Sequence, residues 1–278
     1  MRLVIPIGAG LALTIMKSPE NLPGFPTARL QKGLLLLDQG EELAEEGVGF
    51  GVPVIMRGLQ AIFPGDIQLN LSEDGPLQVV RAIYTLNLEE KIGKPSQKEI
   101  ESKLLYMVKN YLAGLIRKLP GLRGLLTSIS SILRKVFGWE TMYEQSEFSF
   151  EVAMRYAINQ QAGIVNVAVE KLDMGTSVIT EMVVMNEQGA QTFDHYLDSS
   201  GIALQGHEIG CWDEVTAQEA SFISPAHEVA FALERVAGAT LYRGRELVES
   251  RLSWAGFGYS FPAHLDHFEY QLKIGRIK

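Results

Sequence analysis

The chain has 278 residues, of which 46% are hydrophobic and 21% are charged, and this mixture excludes a disordered protein. Its formal net charge of −8 argues against nucleic acid as a partner, because phosphate backbones repel an acidic chain. The one cysteine, Cys211, excludes an intramolecular disulfide and a thiolate zinc cage. It suits a cytoplasmic protein, the location that we expect, and leaves export or membrane association open.

The first sixteen residues combine Arg2 with an apolar run, as a targeting segment does. Against a targeting segment, Pro6 interrupts the run and Lys17 follows it without a small-x-small cleavage site. The run is also too short to cross a bilayer as a helix. We therefore predict one or two opening strands, with a targeting segment as the alternative.

The stretch from Ala28 to Glu90 consists of short β-rich runs that Gly, Pro and Asp separate. The runs are LQKGLLLLDQG, VGFGVPVIMRG, LQAIFPGDIQLNL and VVRAIYTLNLEE. Short strands at this spacing favour a sandwich or a barrel over an α/β fold.

The pattern changes at residues 95–138, which predict an amphipathic α-helical hairpin. Ser96 and Glu99 fit a capping box, and Pro120-Gly121 separates two helical periods. The apolar stripes are Ile100, Leu104, Val108, Tyr111, Leu115 and Leu119 in the first helix, and Leu122, Leu125, Leu126, Ile129, Ile132, Leu133 and Val136 in the second. Two helices joined so tightly are expected to fold back on each other.

From Met142 onward the period falls to two, which is typical of half-buried strands. One strand is predicted to bury Phe148, Phe150, Val152, Met154, Tyr156 and Ile158, and the last strand to bury Phe268, Tyr270, Leu272 and Ile274. The segments Asn186–Gly189 and Asp198–Gly201 are predicted turns between strands.

These patterns predict a mainly β protein, an antiparallel β-sandwich or barrel-like sandwich that carries the inserted hairpin. Residues 1–94 would supply the N-terminal strands and residues 139–278 the C-terminal strands of one β domain. The insertion, residues 95–138, would interrupt it.

The hairpin carries its own charge, with eight basic residues across residues 97–137 against Glu99 and Glu101. This segment is therefore +6, and the rest of the chain is −14. A basic amphipathic helix suits an anionic membrane surface. The alternatives are that its apolar stripe packs on the sheets or mediates oligomerisation.

The densest polar cluster is Phe193–Glu214. On a strand, Asp194, Tyr196 and Asp198 would share one face. The residues that follow the next turn include His207, Glu208, Trp212 and Asp213. If the two runs pair as a hairpin, several carboxylates and a histidine approach one another, as acid–base cleavage of a glycosidic bond requires. The alternative is a solvated strand face with turn-forming Asp and Ser.

A second cluster begins at Tyr242. If residues 245–254 form one strand, Glu246 points inward together with Trp254. A carboxylate on an apolar face must be paired or carry a raised pKa, and such groups gather at functional sites. The alternative is a buried structural ion pair of Glu246 with Arg243 or another basic residue.

Metal and cofactor sites are not expected. His264 and His267 would face opposite ways on a strand, which argues against convergence on a metal with Asp266. The glycine-rich stretch at residues 47–51 runs into a strand signal, so no helix N-terminus follows to receive a phosphate.

The leading hypothesis is therefore a small polar ligand, a saccharide by preference, bound in an acidic and aromatic cleft. The candidate catalytic residues are Asp194, Asp198, His207, Glu208, Asp213 and Glu246, and the candidate ligand-binding residues are Tyr196, Trp212, Arg243 and Arg245. One rival hypothesis is a membrane-surface module that docks through residues 97–137. Another is a structural protein that oligomerises through the hairpin.

Overall fold

The computed structural model describes residues 2–17, 20–21, 29–44, 48–58, 60–93, 140–175, 179–247 and 253–277. The predicted helical hairpin, residues 95–138, lies outside the described residues. The hypotheses of membrane docking and of oligomerisation through it therefore stay predictions. None of the described segments forms a helix with the length and apolarity that a bilayer crossing requires.

The described part of the chain is mainly β, and its strand pairs are antiparallel, as predicted. The strands before residue 94 are β1 (Arg2–Gly8), β2 (Leu11–Met16), β3 (Glu20–Asn21), β4 (Arg29–Leu30), β5 (Leu35–Asp38), β6 (Glu41–Glu42), β7 (Gly49–Arg57), β8 (Gln60–Asp74) and β9 (Leu77–Gly93). The later strands are β10 (Glu140–Asn159), β11 (Ile164–Asp173), β12 (Glu181–Gly189), β13 (His195–Asp198), β14 (Ala203–Gln205), β15 (Cys211–Glu214), β16 (Glu219–Ser224), β17 (Val229–Glu234), β18 (Thr240–Glu246), β19 (Trp254–Pro262) and β20 (His267–Arg276). A single 3₁₀ turn, Gly206–Ile209, lies between β14 and β15.

One sheet contains fourteen of these strands, in the order β14-β13-β16-β17-β20-β11-β10-β9-β8-β7-β12-β19-β18-β15. Strands from both sides of residues 94–139 belong to it, and β9 pairs with β10 across that interval. Its two edge strands, β14 and β15, are joined by residues 206–210 alone. Five residues span at most about 18 Å, so the two edges of the sheet must lie close together.

The sheet therefore wraps around, and its two halves face each other across one core. Phe257 on β19 lies 4.8 Å from Phe222 on β16, and Tyr259 lies 4.8 Å from Tyr270 on β20, measured between ring centroids. Aromatic pairs at this distance add stability beyond the area that they bury. This packing confirms the antiparallel sandwich.

A buried polar chain joins the two halves inside this core. Asn186 Oδ1 accepts hydrogen bonds from the Gly51 amide at 3.1 Å and from the Tyr270 hydroxyl at 2.8 Å. The Tyr156 hydroxyl donates to the Gly51 carbonyl at 2.7 Å and contacts the Tyr84 hydroxyl at 3.2 Å. Because burial disfavours the phenolate, the pKa values of these three tyrosines are raised.

The two-residue periods hold in β20 and, with two exceptions, in β10. The predicted apolar face of β20 is buried, and His267, Glu269 and Gln271 are exposed. In β10, Ala153 and Ala157 are buried although the alternation places them on the wet face. β10 is an interior strand between β9 and β11, and neighbouring side chains can cover a group as short as a methyl.

The opening residues form β1 and β2, as predicted, and these strands continue into a second sheet in the order β1-β2-β5-β6. Asp38, at the end of β5, connects this sheet to the sandwich. The guanidinium of Arg276 donates to both carboxylate oxygens of Asp38, and His227 Nδ1 lies 3.3 Å from Oδ2. The hydrogen bond from Arg276 holds the pKa of Asp38 below its usual range, against the opposing effect of burial.

We expect Asp38→Asn to lower the free energy of unfolding at pH 7, because it removes this ion pair. The stabilisation by the Asp38 carboxylate is present above its unfolded pKa of 3.8 and is lost as the pH falls through the lower folded value. Urea unfolding of both proteins between pH 3 and pH 7 measures the difference.

Asp74→Asn is the matched control. It removes the pairing of Asp74 with Arg155, a 3.2 Å contact between two exposed side chains, and a change of at most about 1 kcal/mol is expected. Equal effects of the two substitutions would contradict the role assigned to Asp38.

Candidate ligand-binding cleft

A cleft of about 990 Å³ lies on the outer face of the large sheet, where β7, β8, β12, β15, β18 and β19 contribute residues. Its wall combines apolar and polar surface, and the apolar side chains include Val54, Met56, Phe63, Val183, Met185 and Trp212. Its polar groups come from Thr180, Glu181, Thr240, Tyr242 and Ser260. A cavity of this size that combines apolar and aromatic side chains with converging polar groups is a candidate small-molecule site.

The alternation of β12 separates the cleft from the core. Met182 and Val184 are fully buried on the inner face, whereas Val183 and Met185 line the cleft on the outer face. Both faces of this strand are therefore apolar, so a simple inside–outside pattern does not reveal the cleft.

Two glycines on the outer face make room for two indole rings. A Cβ at Gly258 would lie 2.8 Å from Cζ3 of Trp212, and a Cβ at Gly244 would lie 2.6 Å from Cη2 of Trp254. Neither distance is tolerated by a real side chain. An edge of each indole ring therefore closely approaches the backbone, that of Trp212 at Gly258 on β19 and that of Trp254 at Gly244 on β18.

Trp212 has a backbone conformation that is rare for a bulky residue. Its φ is +60°, and it sits at a bulge in the pairing of β15 with β18, between Cys211 and Asp213. Its ring stacks on Trp254, with centroids 4.7 Å apart and planes inclined by 26°. Backbone strain of this kind persists where the surrounding structure enforces it, and it is concentrated at functional sites.

The polar rim of the cleft is anchored by Thr180, just before β12. The Thr180 hydroxyl accepts a hydrogen bond from the Gly58 amide at 3.1 Å and donates to the Met56 carbonyl at 2.9 Å. These bonds fix the start of β12 against the end of β7. Glu181, the next residue, is thereby held at the mouth of the cleft.

Glu187 is the next outward-facing residue of β12 after Met185, which lines the cleft, and its carboxyl group is buried. Glu187 is 1% exposed, and its Oε1 has no hydrogen-bond partner. Burial and, to a smaller extent, the nearby charge of Glu246 raise the pKa of Glu187 to about 8, although a hydrogen bond from the Val48 amide opposes both effects. Glu187 therefore retains its proton at neutral pH.

Two of the predicted site residues are instead part of a structural turn. Asp198 is buried and accepts hydrogen bonds from the Tyr196 hydroxyl, the Ser200 amide and hydroxyl, and the Ile202 amide, at 2.6–3.2 Å. Burial would raise the pKa of Asp198, but these donors outweigh it, so the net shift is downward. Asp198 and Tyr196 together fix the turn between β13 and β14.

A second group of predicted residues surrounds Arg243. Its Nε donates to the Ile209 carbonyl at 3.2 Å, and Nη2 lies 3.9 Å from the Asp213 carboxylate. Its guanidinium lies 4.8 Å from the centre of the Tyr196 ring. Arg243 thus holds the 3₁₀ turn and β15 against β13.

The remaining candidates lie around the same edge. Asp194 contacts His195 Nδ1 at 2.7 Å, and Arg245 donates to the Ala190 carbonyl at 2.9 Å. Burial lowers the pKa of Arg245, and the charge of Asp194 opposes this effect. His207 and Glu208 are exposed on the 3₁₀ turn.

The two polar runs, residues 193–198 and residues 207–214, do not pair with each other as a hairpin. β13 pairs with β14 and β16, whereas β15 pairs with β18 on the opposite edge of the sheet. Residues 203–205 occupy the edge next to β13, so the following segment has to cross to the other edge. Among the described residues that line the cleft, Trp212 is the one member of the predicted site. The catalytic roles of the six predicted acidic and histidine residues stay predictions.

The predicted strand from Arg245 to Trp254 is also wrong. β18 ends at Glu246 and β19 begins at Trp254, and these two residues face each other across an antiparallel pair. Alternation places Glu246 on the outer face with Tyr242, where its charge acts on Glu187. Arg243 points to the other face, where its guanidinium lies over the Tyr196 ring.

Sequence reasoning missed Glu187 because Asn186–Gly189 was predicted as a turn. These residues are the last part of β12. Gln188 accepts a hydrogen bond from the Leu36 amide at 3.1 Å and donates to the Leu34 carbonyl at 3.3 Å, so tertiary partners satisfy its polar side chain. One usable signal was present: Glu187 continues the spacing of Glu181, Val183 and Met185.

No group of three His, Cys, Asp or Glu side chains suited to a metal occurs in the part of the chain that the structure describes. His264 lies in the turn after β19, and His267 begins β20 beside Glu269, with Nε2 2.9 Å from Oε1.

Neither the known protein families nor the curated proteins include a match to this sequence. Among solved structures, the chain is similar to the α-N-acetylgalactosaminidase NagBb from Bifidobacterium bifidum in complex with GalNAc, at 9% identity and a TM-score of 0.48. That similarity covers 99% of this chain and 36% of the NagBb chain, so this chain spans about a third of the enzyme's length.

Two smaller proteins are similar over nearly their whole length. A galactose mutarotase-like protein from Clostridium acetobutylicum is 8% identical, with a TM-score of 0.41 over 99% of this chain and 95% of its own. A galactose mutarotase-like protein from Lactobacillus casei is 11% identical, with a TM-score of 0.38 over 99% of each chain. At these identities, individual side chains cannot be matched between the proteins.

We expect Glu187→Gln to alter the pH dependence of stability. An acid with a raised folded pKa stabilises the folded state most at low pH. This stabilisation declines as the pH rises from the ordinary value of 4.5 to about 8, and it is constant above that pH. The decline amounts to ~1.4 kcal/mol per pH unit for one fully decoupled group.

The measurement is urea unfolding at pH 5, 6, 7, 8 and 9 for the wild type and the variant. In Glu187→Gln, the free energy of unfolding should no longer show the decline with pH that Glu187 causes. The exposed control Glu208→Gln should show the same decline as the wild type. Parallel curves for the wild type and Glu187→Gln would rule out a proton held by Glu187.

Proposed function

We propose that this protein binds a saccharide in the outer-face cleft, with a sugar ring stacked on Trp212. The observation that carries the proposal is the indole pair itself. Trp212 is held in a strained conformation, backed by Trp254, and seated on Gly258 in the wall of a 990 Å³ cleft. A ring held in this way is a preorganised binding surface, because its position is fixed before a ligand arrives.

The chemistry of the wall supports a sugar over a fully apolar ligand. A pyranose ring has C–H groups on its faces and hydroxyl groups around its edge. Trp212 and Tyr242 offer aromatic surface, and Thr180, Thr240 and Ser260 add hydroxyl groups to the lining of the same cleft. Glu181 adds a carboxylate, which accepts hydrogen bonds from sugar hydroxyls more strongly than a neutral acceptor does.

The proposal concerns binding and assigns no catalytic step. An acid–base reaction by Asp194, Asp198, His207, Glu208, Asp213 or Glu246 stays a prediction from the sequence. Asp198 accepts hydrogen bonds from the Tyr196 hydroxyl and the Ile202 amide, and Asp213 lies beside Arg243. These contacts favour structural roles for the two carboxylates.

The test is calorimetric titration of the purified chain with neutral mono- and oligosaccharides, including glucose, galactose, GalNAc and their β-linked disaccharides. We expect at least one of them to bind with a Kd below roughly 10 mM, the range in which a shallow carbohydrate site is detectable. If none binds at that concentration, the proposal is wrong.

For the sugar that binds best, we expect Trp212→Ala to weaken the affinity by about 5- to 30-fold, which corresponds to the loss of ~1–2 kcal/mol of aromatic contact. Trp212→Phe should retain part of the affinity because it keeps an aromatic face. Gly258→Val should also weaken binding, since its side chain displaces the Trp212 ring.

Leu197→Ala is the control, because Leu197 is an exposed apolar residue on β13 that does not line the cleft. Circular dichroism in the far ultraviolet verifies that each variant is folded. Equal affinities of Trp212→Ala and Leu197→Ala would show that the sugar binds elsewhere.

A further inference from the structure

The lining of the cleft crosses five neighbouring strands of the large sheet, in the order β18-β19-β12-β7-β8. The strand registers show which lining residues are neighbours. Thr240 is opposite Ser260, and Ser260 is opposite Val183. Val183 is in turn opposite Val54. Because antiparallel pairing is perpendicular to the strands, these residues form a row that runs across the sheet.

Trp212 borders this row where it crosses β19. A Cβ at Gly258, the outward-facing position next to Ser260 on that strand, would lie 2.8 Å from Cζ3 of Trp212 and 3.5 Å from Cγ1 of Val183. The edge of the indole ring and the Val183 side chain are therefore neighbours. A sugar ring stacked on Trp212 lies at one end of a path that continues over Val183.

Phe63 on β8 is the aromatic residue at the opposite end of the path. Ile62 is opposite Ile55 in the pairing of β8 with β7. Antiparallel order puts the following residue, Phe63, beside the preceding one, Val54, and both line the cleft. Of the residues described on β9, the next strand, none lines the cleft. The cleft therefore ends at β8.

Both aromatic residues lie where the strand pairing is irregular. Trp212 is at the bulge between Cys211 and Asp213, and the register of β8 with β9 shifts between Phe63 and Pro64. A bulge re-aims a side chain, and bulges are frequent next to active sites. The two rings thus occupy positions at which the backbone departs from the regular sheet.

The separation of the two aromatic ends matches an oligosaccharide. Three strand spacings, about 14 Å, separate β19 from β8. One unit of an extended β-1,4-linked pyranose chain advances it by close to one strand spacing, so about four consecutive rings cover this distance. The cleft volume of about 990 Å³ is at the upper end of small-molecule sites, and one sugar ring would leave most of it empty.

We infer that the cleft binds a linear, extended oligosaccharide of about four units that lies across the strands, with its end rings at Trp212 and Phe63. Val183 and Val54 supply the apolar floor between these ends. Glu181, the next outward-facing residue on β12, flanks the path and accepts hydrogen bonds from hydroxyl groups at the edge of the chain. The inference rests on the proposed function and adds the length and the direction of the ligand.

The first test is the dependence of affinity on chain length. Calorimetric titration of the full chain compares β-1,4-linked glucose oligosaccharides, and the corresponding galactose series, from one to six units. We expect the Kd to fall by at least about 10-fold between one unit and four, because the added rings gain contacts and reach a second aromatic side chain. Between four units and six it should change little, because the lining ends at β8.

Phe63→Ala tests the position of the far end. In this variant the ratio of the monosaccharide Kd to the tetrasaccharide Kd should fall by about 5-fold or more, because the fourth ring loses its aromatic contact. Phe63→Tyr keeps an aromatic face and should keep most of the ratio. Leu71→Ala is the control, because Leu71 is an exposed apolar residue on the same strand that does not line the cleft. Both sugars are measured on one sample, so the ratio does not depend on the folded fraction.

The outcomes separate this inference from the binding function. If sugars of every length fail to bind, the proposed function is wrong and the oligosaccharide inference falls with it. If a monosaccharide binds and the tetrasaccharide binds no more tightly, the inference alone is wrong and the binding function stands. Equal ratios in Phe63→Ala and Leu71→Ala would show that the sugar chain extends in another direction, which also overturns the inference.

Discussion

The short connection between the two edge strands of the large sheet is the constraint on which its shape depends. β14 and β15 are at opposite ends of fourteen strands, but residues 206–210 are all that separates them in sequence. The sheet has to wrap until its edges meet. Arg243 holds the closure by bonding the Ile209 carbonyl, and Gly210 takes a positive φ of 80° where a side chain would collide with Asp213.

This closure also separates the core from the outer-face cleft. Wrapping fills the described inner face with aromatic side chains and with the polar chain from Asn186 to Tyr156. On the outer face of β18 and β19, Gly244 and Gly258 leave space that the indole rings of Trp254 and Trp212 occupy. The same connection delivers β15 to this face, and with it the bulge that sets Trp212 in the cleft.

The fold could be predicted where alternation was clear and long. β20 and most of β10 follow their two-residue periods, and the opening run forms β1 and β2 despite its resemblance to a targeting segment. The site could not be predicted in the same way. Polar residues clustered near residue 198 drew attention, but the Asp198 carboxylate accepts hydrogen bonds from local amides and hydroxyls. The cleft is lined by apolar and polar residues from strands far apart in the sequence, so no local pattern marks it.

The sequence by itself determined the antiparallel β character of the chain and singled out Trp212, which lines the cleft, because side-chain period and aromatic character are local properties. Only the tertiary structure decided which strands become neighbours, since a register between distant segments depends on the whole core. It therefore decided that Glu187 belongs to a strand and not to a turn. It also placed that carboxyl beside Glu246, 59 residues away in sequence, where burial and a second negative charge together keep it protonated.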